Sequence, residues 1–175
     1  DEIVLSVFDY PNMKNVWKMR EKRDEILLKW VTFPAPCNDE DFLVEQYVKA
    51  MTPKTKLVHI THLINWTGQV LPARKIADKA KEKGIEVLVD GAHSFAHIDF
   101  KISDLNCDYF GTSLHKWLCA PFGTGLMYVH PSKIKKLWPY FPSEEPDGNK
   151  MNKMENLGTH NIPAKMAIGQ AINFH

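Results

Sequence analysis

Short apolar runs alternate along this chain with stretches in which apolar residues recur every three or four positions. The runs are typical of buried β-strands, and the recurring positions are typical of helices with one apolar face. Strands that alternate with helices favour an α/β fold with three layers, in which a mainly parallel sheet has helices on both faces. The runs predict five strands in the first two thirds of the chain, over residues 2–8, 26–33, 56–63, 85–89 and 108–113.

Helices are predicted between these strands from their end signals. Pro11 fits the first turn of one helix, Asn38 fits the N-cap of a second, and Gly84 fits the C-terminal cap of a third helix over residues 72–83. The remainder of the chain predicts a strand over 126–129, a short basic helix over 131–138, a polar loop over 139–153 and a helix over 162–174.

Composition narrows the class of protein. The 175 residues suffice for one domain with a real core, and their 44% hydrophobic and 25% charged content is ordinary for a globular protein. A net charge of +1 gives no electrostatic case for a nucleic acid or an anionic membrane as partner. No apolar run approaches the roughly 18 residues of a spanning helix. Three cysteines without metal-ligand or redox spacing fit a reducing, cytoplasmic compartment and predict no metal site.

Two of the predicted strands end in chemically reactive residues. Asp90 and His93 follow the strand over 85–89, and Lys116 follows the strand over 108–113. The carboxyl ends of parallel strands meet at one edge of a sheet, where ligands bind in open α/β folds. Pyridoxal phosphate needs a lysine amine to form a Schiff base with its aldehyde and a carboxylate against its pyridine nitrogen. Asp90 and Lys116 are therefore candidate catalytic residues for this cofactor.

A second interpretation of Asp90 is that it holds Mg²⁺ beside a nucleotide. That chemistry needs a glycine-rich loop around the phosphates. The chain contains neither a Gly-x-x-x-x-Gly-Lys-Ser/Thr loop nor a Gly-x-Gly-x-x-Gly run. The nucleotide interpretation is kept as an alternative from another functional class.

Three motifs carry a resemblance to a known family. They are Thr-His-Leu-Ile-Asn-Trp-Thr-Gly over 61–68, Val-Asp-Gly-Ala-His over 89–93 and Ser-Leu-His-Lys over 113–116. In this order and at about this spacing, they resemble the class V aminotransferases of fold type I. This family of pyridoxal-phosphate enzymes includes cysteine desulfurases, selenocysteine lyases and isopenicillin N epimerase-like proteins. The resemblance implies a homodimer that acts on an amino acid.

The resemblance also implies a role for each motif residue. Lys116 would hold the cofactor and then move the α-proton, and Asp90 would face the pyridine nitrogen. Asn65 would hydrogen-bond the phenolic oxygen, although an Asn-Trp-Thr-Gly stretch is also an ordinary turn. His93 would pack near that oxygen, although a lone histidine is more often a core residue. His97 gains no such role.

The cofactor's phosphate would be held by a second set of residues. Ser113 and His115 resemble the phosphate ligands of the family. The segment 155–161 resembles a Gly-Thr motif whose threonine, here Thr159, reaches the phosphate bound by the neighbouring subunit. A plain junction between a loop and a helix is the alternative interpretation of this segment.

Other parts of a complete enzyme are expected outside this chain. Residues 1–175 are interpreted as the central part of the large cofactor-binding domain, without the N-terminal segment and the C-terminal small domain. An aromatic residue on the cofactor ring, an arginine for the substrate carboxylate and any reactive cysteine are expected in those segments. The three arginines lie on predicted solvated helix faces, and the three cysteines are interpreted as buried or incidental: Arg20, Arg23, Arg74, Cys37, Cys107 and Cys119.

The motif residues do not select one reaction. Transamination, epimerisation and β-elimination or desulfuration are all compatible with them. The Gly-Thr-x-Asn segment and His93 favour the epimerase-like branch over the desulfurases and selenocysteine lyases. A further alternative is a folded fragment that binds nothing, because half of the cofactor's surroundings would be absent.

Overall fold

The computed structural model describes residues 1–155 and 158–175. It contains six strands, which are β1 (Glu2–Ser6), β2 (Leu27–Val31), β3 (Thr55–Thr61), β4 (Glu86–Asp90), β5 (Tyr109–Ser113) and β6 (Gly125–Val129). Its helices are α1 (Pro11–Asp24), α2 (Glu40–Ala50), α3 (Ala73–Glu82), α4 (Pro131–Ile134) and α5 (Ile162–Phe174), with 3-10 helices over Ile102–Leu105 and Met151–Met154. None of the helices in these described ranges has both the length and the apolar character needed to cross a membrane.

The six strands form one sheet in the order β2-β1-β3-β4-β5-β6. All neighbouring strands are parallel except β5 and β6, which are antiparallel. Strand β2 therefore lies on one side of β1. The chain then crosses back over β1 and forms β3, β4, β5 and β6 on its other side. The predicted α/β fold with a mainly parallel sheet is confirmed.

Helices lie on both faces of this sheet. Val58 and Ile60 of β3 belong to the main core, which also contains buried residues of α2 and α3. His59 lies between them in β3, so its side chain points to the opposite face. There the Nε1 atom of Trp17 in α1 donates a hydrogen bond to Nδ1 of His59 at 3.1 Å. The predicted three-layer arrangement is confirmed, with α1 on one face and α2 and α3 on the other.

Two element boundaries differ from the predicted ones for local reasons. The first strand ends at Ser6 instead of residue 8, because the backbone N–H of Ser6 donates to the Asp9 carboxylate at 2.8 Å and closes a turn. The N-cap of α2 is Asp39 instead of Asn38, since the Asp39 carboxylate accepts a hydrogen bond from the backbone N–H of Phe42 at 2.9 Å.

The C-terminal third departs further from the prediction. Helix α4 ends at Ile134, although a helix was expected to continue to residue 138. The expected loop over 139–153 includes the start of a 3-10 helix, where Lys153 is buried. The Lys153 ammonium donates to the backbone oxygens of Pro146 and Gly148 at 3.1 and 2.9 Å, which satisfies its hydrogen bonds and folds the loop around it.

The register of the central strands aligns the carboxyl ends that carry the motifs. Thr61 of β3 pairs with Asp90 of β4, and Asp90 pairs with Gly111 of β5. Backbone hydrogen bonds continue past the strand ends, because the N–H of His62 donates to the oxygen of Asp90 at 2.9 Å. The motif residues that follow these three strands therefore start from one edge of the sheet.

Gly91 is required where β4 ends. A Cβ atom at this position would lie 2.1 Å from Cζ of Phe110, whose side chain is fully buried. We expect Gly91→Ala to lower the free energy of unfolding by about 1–3 kcal/mol, since the buried ring has no space to move away. Chemical denaturation measures this change. Gly111→Ala is the matched control, because a Cβ at Gly111 meets no atom within 4 Å, and equal losses in both variants would contradict the prediction.

Candidate active site

A cavity of about 1040 Å³ lies at the carboxyl ends of β3, β4 and β5. Its lining includes five of the residues predicted from the motifs, which are Asn65, Asp90, His93, Ser113 and Lys116. The structure therefore brings these five residues together, although they come from three separate segments of the chain. Their individual roles stay predictions.

Lys116 and His93 contact each other inside the cavity. The Nζ atom of Lys116 lies 3.0 Å from Nε2 of His93, and the Nε1 atom of Trp117 lies 3.4 Å from Nδ1 of the same ring. The pKa of His93 is lowered, chiefly by burial and less by the charge of nearby Lys116. His93 is therefore a neutral ring at pH 7, held between the lysine amine and an indole N–H.

Asp90 also lines the cavity, at the last position of β4. Its Oδ1 atom accepts a hydrogen bond from the backbone N–H of Ala92 at 2.9 Å. The loop after it is held to β5, since Oγ1 of Thr112 donates to the Gly91 oxygen at 3.1 Å. These contacts fix the carboxylate on the same cavity as the lysine amine.

Two predicted phosphate ligands lie outside the lining of this cavity. The Nδ1 atom of His115 donates to the backbone oxygen of Thr124 at 3.3 Å, and its ring packs 5.6 Å from Phe122. Thr159 is exposed. Residues 156 and 157 of the predicted Gly-Thr segment lie outside the described residues, so their part of that prediction has no structural counterpart. The phosphate roles of His115 and Thr159 stay predictions.

Tyr10 is an aromatic residue of the cavity that the sequence reasoning missed. It lines the cavity at the start of α1, and Nζ of Lys116 lies 5.4 Å from the centroid of its ring. An aromatic residue was expected only in a segment outside this chain. The pattern that points to Tyr10 is its place just after β1, the strand next to β3 in the sheet, and just before Pro11 at a helix start.

A buried polar cluster fastens the segment that carries Tyr10. Asp9 is fully buried and accepts hydrogen bonds from Ser6 N–H and from Oγ1 of Thr61, both at 2.8 Å. Its carboxylate also lies 3.6 Å from Nδ1 of His59. Burial is the main cause that raises the pKa of Asp9. Because Thr61 also lines the cavity, this cluster ties the turn before Tyr10 directly to the end of β3.

His62, directly after β3, is a buried histidine. Its ring packs edge-on against Phe100 at 4.9 Å, and its Nδ1 atom has no hydrogen-bond partner among the described residues. Burial lowers the pKa of His62 from 6.5 to about 4. The unfolded chain therefore binds a proton near pH 6.5 that the folded chain binds only near pH 4.

This difference predicts a loss of stability in acid. As the pH falls from 7 to 4, protonation of His62 favours the unfolded chain, and we expect a loss of about 3 kcal/mol from this residue. Denaturation curves at several pH values measure the loss. A His62→Leu variant has no such proton to bind, so between pH 7 and 4 its free energy of unfolding should fall by about 3 kcal/mol less than that of the unmodified chain. The same pH dependence in both proteins would refute the prediction.

The sequence was compared with known proteins. The profile of the aminotransferase class-V family matches residues 1–175. The isopenicillin N epimerase of Streptomyces clavuligerus is 31% identical over 189 residues, which cover 99% of this chain and 48% of that protein. A protein of Synechocystis sp. named "Probable cysteine desulfurase" is 30% identical over 184 residues, which cover 99% of this chain and 43% of that protein. The chain thus spans about half the length of these relatives.

Solved structures share the fold. The cystine C-S lyase C-DES in complex with cysteine persulfide has a TM-score of 0.87 and 28% identity, covering 100% of this chain and 49% of that one. A mutant of C-DES with glycine covalently linked to its PLP cofactor has the same TM-score at 25% identity. The match over the whole chain, together with the three motifs around one cavity, shows that this chain belongs to the aminotransferase class-V family.

Proposed function

We propose that this chain is the cofactor-binding part of a pyridoxal-phosphate enzyme that acts at the amino group and α-carbon of an amino acid. The observation that carries the proposal is the shared cavity of Lys116, Asp90 and Tyr10. These three side chains are an amine, a carboxylate and an aromatic ring, which are the groups that a protonated pyridine aldehyde needs around it. The residues present therefore fit the cofactor.

Each residue has a task that follows from its chemistry. When bound, pyridoxal phosphate draws electrons away from the substrate's α-carbon. Lys116 holds the cofactor through its amine and afterwards takes and returns the proton at the α-carbon. Asp90 keeps a negative charge against the pyridine nitrogen and so holds a proton there. Tyr10 would offer an aromatic surface to the ring from the same cavity.

The oxygen atoms of the cofactor need hydrogen-bond donors. Asn65 and His93 line the cavity and supply donors for the phenolic oxygen. Ser113 supplies a hydroxyl for the phosphate from within the cavity, whereas His115 and Thr159 would have to reach it from outside the lining. We propose that Thr159 does so for the cofactor of a second copy of this chain, in a homodimer.

The choice of reaction is proposed from the cysteines and the motifs. Any reactive cysteine for desulfuration is expected outside this chain, and none of its three cysteines lines the described cavity. Burial raises the pKa of the Cys107 thiol to about 11, which keeps it protonated. The Gly-Thr-x-Asn segment and His93 favour the epimerase-like reaction, which is our first proposal. The desulfurase or selenocysteine lyase reaction is the second, since a relative named "Probable cysteine desulfurase" matches 99% of the chain as well.

Addition of pyridoxal phosphate to the purified chain tests the proposal. We expect a visible absorption band that borohydride removes, and a peptide containing Lys116 that carries the reduced cofactor. A chain that binds the cofactor neither covalently nor in calorimetry would support the alternative of a folded fragment without a ligand. Calorimetry with ATP and Mg²⁺ under the same conditions tests the nucleotide alternative, for which we expect no heat of binding.

A further inference from the structure

Trp117 and His97 form a stacked pair next to His93, which lines the cavity. Their ring centroids are 3.7 Å apart with an angle of 11° between the planes, and neither residue lines the cavity. Both are exposed, so burial of apolar surface is not the main reason for their arrangement. The sequence motifs imply no role for His97.

The pair is held in place from both sides. His97 belongs to a turn in which its Nδ1 atom donates to the backbone oxygen of His93 at 3.0 Å. Trp117 belongs to a turn closed by the N–H of Cys119, which donates to the Lys116 oxygen at 3.1 Å. Next to that turn, Leu118 is buried against the cluster that includes α5. The indole ring is thus held by stacking on His97 and by the turn of the chain that Cys119 closes.

The indole determines which nitrogen of His93 carries the proton. An indole N–H can only donate, and Nε1 of Trp117 points at Nδ1 of His93 at 3.4 Å. Nδ1 must therefore accept. Since burial keeps the His93 ring neutral at pH 7, its single proton lies on Nε2.

The Nε2 atom of His93 lies 3.0 Å from Nζ of Lys116. A proton on Nε2 needs an acceptor there, and only the unprotonated lysine amine has a free lone pair. The unprotonated amine is also the form that attacks an aldehyde. The chain of contacts from Trp117 through His93 therefore directs an imidazole N–H at the nitrogen of Lys116.

We propose that Trp117, supported by the stacked His97, is a positioning residue that holds His93 in the tautomer with its proton on Nε2 and so presents a hydrogen-bond donor to the Lys116 amine. The use of this donor in cofactor chemistry rests on the proposed function. The tautomer itself does not, because it is a property of the chain without any ligand.

Nitrogen-15 correlation NMR of the imidazole rings tests the tautomer in the chain without cofactor, with the His93 signals assigned through a His93→Gln variant. We expect a proton on Nε2 and none on Nδ1 in the unmodified chain. Trp117→Phe keeps a ring to stack on His97 but removes the N–H, so we expect a clear population with the proton on Nδ1. Trp138→Phe is the matched control, because Trp138 is exposed and lies outside the described cavity lining. It should leave His93 unchanged.

A second experiment measures the reactivity of the Lys116 amine. Trinitrobenzenesulfonate reacts only with unprotonated amines, and peptide mapping reports how fast it labels Lys116. Trp117→Phe should slow this labelling about tenfold, the size expected for loss of one such hydrogen bond. His97→Ala should slow it less, because the indole N–H remains but loses its support.

The outcomes separate this proposal from the proposed function. A His93 proton on Nδ1 in the unmodified chain, or the same tautomer and labelling rate in the Trp117→Phe variant, would overturn the role of Trp117 even if the cofactor binds. A tautomer shift in that variant would support the role even if pyridoxal phosphate does not bind.

Discussion

Lys116→Ala will abolish covalent attachment of pyridoxal phosphate to this chain. Lys116 and Lys165 both line the cavity that also carries Asp90 and Tyr10, but Lys116 is the lysine of the 113–116 motif, and an alanine there has no amine to bond the aldehyde. Peptide mapping after borohydride reduction should find no cofactor on the 113–116 motif. In the full-length enzyme, exchange of the substrate α-proton should slow by about 100- to 10,000-fold, the range for loss of a positioned general base.

Lys56→Ala is the control for this experiment. Lys56 is exposed near the beginning of β3, at the opposite edge of the sheet from the cavity. Its removal should leave the absorption band and the labelled peptide as they are. If the Lys116→Ala variant still yields a reduced cofactor–peptide bond, another lysine holds the cofactor and the proposed assignment of the cavity is wrong.

Asp90→Asn should leave the cofactor attached and still slow α-proton exchange by about 100- to 1000-fold, a size measured when one preorganised electrostatic partner is removed. The side-chain oxygen of asparagine still accepts the hydrogen bond from Ala92 that the Asp90 carboxylate accepts at 2.9 Å. The substitution therefore removes a negative charge with little change of shape, and the loss of rate reports the charge. Exchange of the α-proton for deuterium, followed by NMR, measures it.

Asp99→Asn removes the same charge from an exposed position outside the described cavity lining. We expect its exchange rate to stay within about twofold of the unmodified protein, because solvent screens a surface charge. An Asp90→Asn variant that exchanges as fast as the Asp99→Asn variant would mean that the pyridine nitrogen does not depend on this carboxylate.

The sequence predicted the parts of the fold that depend on local patterns. Apolar runs and helix end signals located the strands and the longer helices, and the order of strands and helices indicated a mainly parallel sheet. Local patterns failed in the C-terminal third of the chain. Helix α4 is shorter than its composition suggested, and Lys153, a charged residue in a polar stretch, is buried through contacts with two backbone oxygens.

Some residues of the candidate site were predictable from local patterns, and others meet only in the folded chain. Asp90, His93 and Lys116 were predictable because each lies at or within three residues of the end of a strand, and parallel strands end at one edge. Tyr10 follows β1, but the sequence does not reveal that β1 lies beside β3 in the sheet. The stacking of His97 on Trp117 depends on two loops that meet only in the folded chain. Such contacts between loops leave no periodic pattern in the sequence.

The pairing of Thr61 with Asp90 and of Asp90 with Gly111 has a consequence for evolution. The spacing between the reactive groups is set by main-chain ladders, which do not depend on which side chains stand at the loop positions beyond them. Mutation can therefore exchange substrate-contacting residues one at a time while the lysine and the carboxylate keep their separation. A scaffold of this kind can acquire new chemistries without rebuilding its framework, in keeping with relatives that are named as epimerases and as desulfurases.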